Sequence, residues 1–187
     1  MATTALIVEM IIVGVFGLVW MGMLVFKLFN LDVSLIPDYL LLYKDWSTAV
    51  VLISIIVAYQ LGWSLNQFSY FLGKRTFYNP VRLKVFKEDY KNFETIKATV
   101  LMQGSSYAIE KVKERLSAVR LTRSGAVNFF LISIGLFTYG QWLMGIIMAI
   151  VTIVFLLQAV DMYSTYCHQI FNSYKVINLE KKKRKTA

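Results

Sequence analysis

From Gly125 to Val160 the chain carries no charged residue, a run of 36 positions. A helix rises about 1.5 Å per residue, so one crossing of a ~30 Å hydrocarbon layer uses about 20 apolar residues. The run is too long for one ordinary span and slightly short for two. Two spans fit if the chain reverses inside the run and borrows flanking residues at each end. Tyr139-Gly140-Gln141-Trp142 is the polar, turn-competent cluster where it reverses, and Tyr and Trp favour the membrane–water interface. Arg123 can lengthen the first arm by keeping its stem in lipid and its charge turned outward. The predicted spans are about 122–140 and 142–163.

Two earlier runs complete the set. Ala5 to Phe26 has one charge, Glu9, close enough to its end to be solvated, and Ala49 to Leu72 has none. The second run stops at Gly73 before Lys74 and Arg75, the glycine-then-cation pattern of a helix C-terminus. The spans are therefore about 5–26, 49–72, 122–140 and 142–163. Composition agrees: 57% of residues are hydrophobic, against about 45–50% in soluble domains. The first apolar run is too long for the core of a cleavable leader and lacks a basic approach, so no such leader is expected.

Orientation follows from the cations. Residues 74–124 carry twelve Lys and Arg and the tail after the fourth span carries six, while Lys27 and Lys44 lie elsewhere. With four spans, the central loop, the tail and the N-terminus share one side, and the positive-inside rule makes that side cytoplasmic. The other side holds the segment from Lys27 to Trp46, interrupted by Pro37, whose many apolar residues suit a membrane surface or an external partner.

The loop over 74–121 is expected to form a helical hairpin. Asn79-Pro80 has the form of an N-cap followed by Pro at the first helical position. Phe86, Tyr90, Phe93, Ile96 and Val100 then recur at helical spacing, Gly104-Ser105-Ser106 is the turn, and Ile109, Val112, Leu116 and Val119 mark a second apolar face. With no breaker before the third span, one helix should run from about Ser106 to Tyr139. The fourth span should likewise continue outward through Tyr163, Tyr166, Ile170, Tyr174 and Ile177. The fold class is all-α: a polytopic membrane protein of four transmembrane helices, a cytoplasmic helical module over 74–121 and a basic tail over 175–187.

No constellation for catalysis or metal binding stands out. The phosphate-binding glycine loop, paired histidines and Cys-x-x-Cys are all missing from the sequence. Cys167 and His168 are the only residues of their types, and neighbours on a helix point about 100° apart rather than at each other. No enzyme, cofactor or metal is expected. Polar groups within the spans carry more information, because each is costly in lipid unless paired or wet. Gln60, Ser64 and Gln67 form one stripe on the second span, fit either for hydrogen bonding between helices or for the wall of a water-filled path. Arg123 and Asp161 each lie 19 residues from Trp142, so an antiparallel hairpin brings them to equal depth as an ion pair, with Arg120 as the fallback. Gly145 and Ala149 have the spacing that permits close helix approach, and Gly14 and Gly17 are a second small-residue pair.

The tail Lys181, Lys182, Lys183, Arg184 and Lys185 reads as an anchor on anionic lipid, about 1 kcal/mol per cation near the surface. The last lysines also match the form of an endoplasmic-reticulum retrieval signal, which short basic tails do by chance. Topology accounts for much of the net charge of +9, and no aromatic-basic stacking platform for nucleic acid is evident.

The stretch Arg115-Leu116-Ser117-Ala118-Val119-Arg120-Leu121-Thr122-Arg123-Ser124, a basic helix entering the third span, gives the chain a layout that resembles small four-span bacterial inner-membrane proteins of anti-phage defence systems, such as the membrane subunit of the Kiwa type. The resemblance is one of architecture over the whole chain. It implies a homo-oligomeric sensor in the bacterial inner membrane working with a cytoplasmic effector, and no catalytic residue carries over. The expected function is a non-enzymatic oligomeric membrane sensor or scaffold that recruits a cytoplasmic protein. The alternative is an ion channel or pore lined by Gln60, Ser64 and Gln67.

Overall fold

A computed structural model describes residues 2–30 and 47–186 and, among them, contains helices and no strand. Residues 31–46, expected to lie on a membrane surface or to meet an external partner, fall outside the described residues. Helix α1 is Ala2–Leu28, α2 Ser47–Gly73, α3 Asn79–Phe86, α4 Phe93–Gln103, α5 Ser106–Thr138 and α6 Trp142–Thr186. Four helical stretches are long and apolar enough to cross a membrane: Leu6–Leu28, Thr48–Phe86, Ser106–Thr138 and Trp142–Glu180. The chain thus has the build of a multi-pass membrane protein. The reversal falls where polarity and glycine place it: α5 ends at Thr138, Gly140 takes φ +73°, and α6 begins at Trp142. That positive φ suits glycine because it has no Cβ to clash.

Contacts divide the chain into two units: Met1–Ser69 with Arg123–Phe155, and Tyr70–Thr122 with Leu156–Ala187. The first unit is polar inside. Its buried side chains include Met10, Val13, Ala58, Leu65, Ala126 and Ile132, but also Glu9, Asn66, Ser69, Arg123, Ser124, Asn128, Ser133 and Thr152. Large apolar residues such as Ile53, Ile56, Leu143 and Ile153 face outward, as lipid-facing helices require. Glycine sets the closest approach: a Cβ on Gly14 would lie 1.6 Å from the Ala58 carbonyl oxygen, and one on Gly62 1.8 Å from that of Met10. Helices α1 and α2 therefore run backbone against backbone. Gly145 meets the Phe137 ring, and its carbonyl accepts a hydrogen bond from Ser133 Oγ at 2.8 Å. Contacts inside one chain thus occupy Gly14, Gly62 and Gly145.

The second unit has its own apolar core, which includes Phe86, Phe93, Ile96, Val100, Val112, Val119, Tyr163, Tyr166, Cys167, Ile170 and Ile177. The helical spacing predicted over 86–100, 109–119 and 163–177 is the spacing of this core. Two local expectations need correction. Asn79 is not an N-cap, because the chain arrives there already helical: Lys74–Tyr78 is a π-turn in which the Asn79 N–H reaches back to the Lys74 carbonyl. Pro80 has no N–H to offer and its ring would strike the carbonyl four residues back in a regular helix, so a widened turn ahead of it relieves both faults. Gly73 likewise continues the helix, at φ −77°, rather than ending it in the left-handed region. The second correction is at Lys87, whose φ of +52° breaks the run between Phe86 and Phe93. Residues Lys87–Asn92 form a 3₁₀ turn, and Tyr90, expected on the apolar face, is exposed there. Further on, Ser105 Oγ accepts from the Ala108 N–H and caps α5.

Candidate functional site

Two polar constellations stand out, one in each unit. In the first unit the centre is Arg123, buried on α5. Its Nη2 donates to the Asn66 side-chain oxygen and, at 3.2 Å, to the Asn66 carbonyl, while Nε donates to Ser69 Oγ at 3.0 Å. Ser69 Oγ lies 3.3 Å from Ser124 Oγ. Asn66 and Ser69 lie on the face of α2 that also carries Gly62, so the tight α1–α2 seam and the arginine site share one side of that helix. Glu9, the neighbour of Met10 in that seam, is buried rather than solvated.

Beyond Arg123 along α5 lies Asn128, wholly buried. Its side-chain nitrogen donates to the Val13 carbonyl at 2.8 Å, and its oxygen accepts from Trp20 Nε1 at 3.2 Å. One amide thus fastens two successive stretches of α1 by using both its donor and its acceptor. Tyr139 Oη donates to the Met23 carbonyl at 2.8 Å, and Lys27 Nζ sits 5.4 Å from the Tyr139 ring centre. In low-dielectric surroundings such bonds define which helix faces meet.

In the second unit the centre is Arg82. Its guanidinium carbon lies 4.0 Å from the Phe93 ring centre, its Nε donates to the Tyr163 hydroxyl, and Nη2 lies 3.4 Å from Glu94. Tyr163 also packs on Tyr78, with ring centres 4.2 Å apart. A planar cation on a ring with a carboxylate at one edge is a structural clamp that holds α3, α4 and α6 together. Cys167 is completely buried among these residues, which keeps its sulfur from solvent.

Gln60, Ser64 and Gln67 share a face of α2 and are all exposed; Ser64 Oγ also donates to the Gln60 carbonyl, a bond within the helix. Arg123 belongs to the first unit and has its acceptors there on α2, whereas Asp161 belongs to the second unit and is exposed. The side chains of Lys181, Lys182, Lys183, Arg184 and Lys185 lie outside the described residues. Sequence reasoning missed Asn66, Ser69, Asn128 and Arg82. Asn128 had a usable signal, as the one asparagine in the charge-free run. Arg82 had none, being one cation among twelve.

By fold and composition the class is that of an all-helical, multi-pass membrane protein. No family model, curated protein or solved structure matches the chain.

Proposed function

We propose that the chain is a non-enzymatic, oligomeric membrane scaffold or sensor whose basic module, over 74–121, lies in the cytoplasm and recruits a protein partner. One observation carries this reading: the second unit packs a separate core and leaves Lys74, Arg75, Lys84, Lys87, Lys91, Lys113 and Arg115 exposed around it. Arg82 and the rings of Phe93, Tyr78 and Tyr163 are consumed by internal packing, so what it offers a partner is a charged surface on a preformed body. The layout shared with four-span anti-phage proteins supports a bacterial inner-membrane setting and a cytoplasmic effector as that partner. The tail lysines would rest on anionic headgroups, and an Arg123–Asp161 pair stays part of the proposal.

The test is reconstitution of the full chain with the protein encoded beside it. The expected result is a complex that is weakened at least tenfold by charge reversal at Lys84, Lys87 and Lys91, together with a silent bilayer. Steady ion currents with no bound partner would overturn it. A second reading, a pore lined by Gln60, Ser64 and Gln67, has one observation in its favour: that stripe is exposed. Currents abolished by Gln60→Leu would establish it.

A further inference from the structure

Gln60 is the middle residue of the 27-residue helix α2, so an α2 that spans a bilayer holds this amide near the hydrocarbon centre. It is exposed, and so are Ser64 and Gln67, while the opposite face of α2, with Ala58, Gly62, Leu65 and Ser69, is buried. A primary amide in hydrocarbon with no partner is strongly disfavoured, and acyl chains offer neither donor nor acceptor. Something of matching chemistry must cover this face.

The exposed positions have a pattern of their own. Ile53, Gln60 and Gln67 follow one another at seven-residue intervals, and Ile56, Ser64 and Phe71 fall on the same face of the helix. Ile53, Ile56 and Phe71 are 60%, 62% and 75% exposed. Positions seven apart face one way along a helix that pairs with another, and a polar side chain at such a position fixes register and partner number. The seam is about 27 Å long, close to the hydrocarbon thickness.

The geometry points to α2 as the surface where one copy of this chain meets another, with Gln60 bonded to Gln60 and Gln67 to Gln67. Copies inserted in the same orientation carry each residue at the same depth. A two-fold axis along the membrane normal then sets amide against identical amide, and a carboxamide, being both donor and acceptor, complements itself. The small-residue positions Gly14, Gly62 and Gly145 are already filled by contacts within one chain, so they are not open to close approach by a second copy. This inference rests on the oligomeric reading above and names its surface.

The experiment uses the full chain in liposomes over a range of protein-to-lipid ratios, with Cys167→Ala as background. Ile53→Cys and Gln67→Cys should form covalent dimers on oxidation, and Ile55→Cys and Ile153→Cys, which are exposed but off the seam, should not. Gln60→Leu with Gln67→Leu should lower the association constant roughly tenfold or more, since each interhelical bond contributes a few-fold to about thirtyfold. Association that cross-links only off the seam, or that Gln60→Leu with Gln67→Leu leaves unchanged, overturns the α2 surface and leaves the oligomeric reading standing. A chain that is monomeric at every ratio overturns both. Unchanged association with loss of an ion current assigns the amides to a water path and also overturns the proposal.

Discussion

Replacing Asn66 by Leu tests whether the Arg123 site holds α2 to α5. Two of the three hydrogen bonds that Arg123 sends to α2 end on Asn66, one on its side chain and one on its carbonyl. The substitution removes the side-chain acceptor and keeps the backbone one. A bond to a charged group contributes about 1.5–3 kcal/mol. One comparison reduces that figure: neutral interhelical bonds in bilayers average only about 0.6 kcal/mol. We expect a loss of about 2 kcal/mol. For a chain of 187 residues that corresponds to a fall in Tm of about 4–8 °C, read from thermal unfolding in mild detergent. Asn66→Asp, which supplies a carboxylate to the same cation, should not lower Tm. Asn66→Leu combined with Arg123→Leu should cost less than the sum of the single changes, because neither leaves the other's partner behind. A fall of less than about 1 °C for Asn66→Leu, or strict additivity in the double variant, would refute the coupling.

Gly62→Val should abolish folded yield by size-exclusion chromatography, since its Cβ has no room beside the Met10 carbonyl, whereas Gly22→Ala, with nothing within 4 Å, should be neutral. Arg82→Lys should open residues 74–122 to limited proteolysis almost as much as Arg82→Met, because an ammonium cannot reproduce the flat stack on Phe93 with the bond to Tyr163. Cys167 should resist maleimide in the folded protein and react on denaturation; rapid labelling of the native chain would contradict its burial.

The parts of the fold that a sequence shows well are those set by length and period. The reversal at Gly140 was legible because a 36-residue uncharged run has to turn, and the second unit's core was legible because apolar residues recur at helical spacing. What escaped depends on contacts between distant residues. Equal depth relates Arg123 only to the helix that follows it, and Asn66 and Ser69 come from an earlier helix, 57 and 54 positions away. The break at Lys87 escaped because nothing in Phe86–Phe93 forbids a helix; the T-shaped contacts of Phe86 with Phe93 and Phe171 decide the path. The stripe of Gln60, Ser64 and Gln67 could be read from spacing, but not its side: the inward polar face of α2 belongs to Asn66 and Ser69 instead.

The partners of α5 also bear on how the protein is made. Of the four membrane-length helices α5 has the least apolar window, and it carries Arg123, Ser124, Asn128 and Ser133, all buried. Such a segment is a poor candidate to enter lipid alone. Yet the groups that satisfy Arg123, Ser124 and Asn128 sit on α1 and α2, which leave the ribosome first. Synthesis from the N-terminus therefore builds the docking face before the helix that needs it, and only Ser133 waits, for the Gly145 carbonyl twelve residues later. A permuted chain in which α5 and α6 precede α1 reverses that order, and insertion of α5 is the step that should suffer.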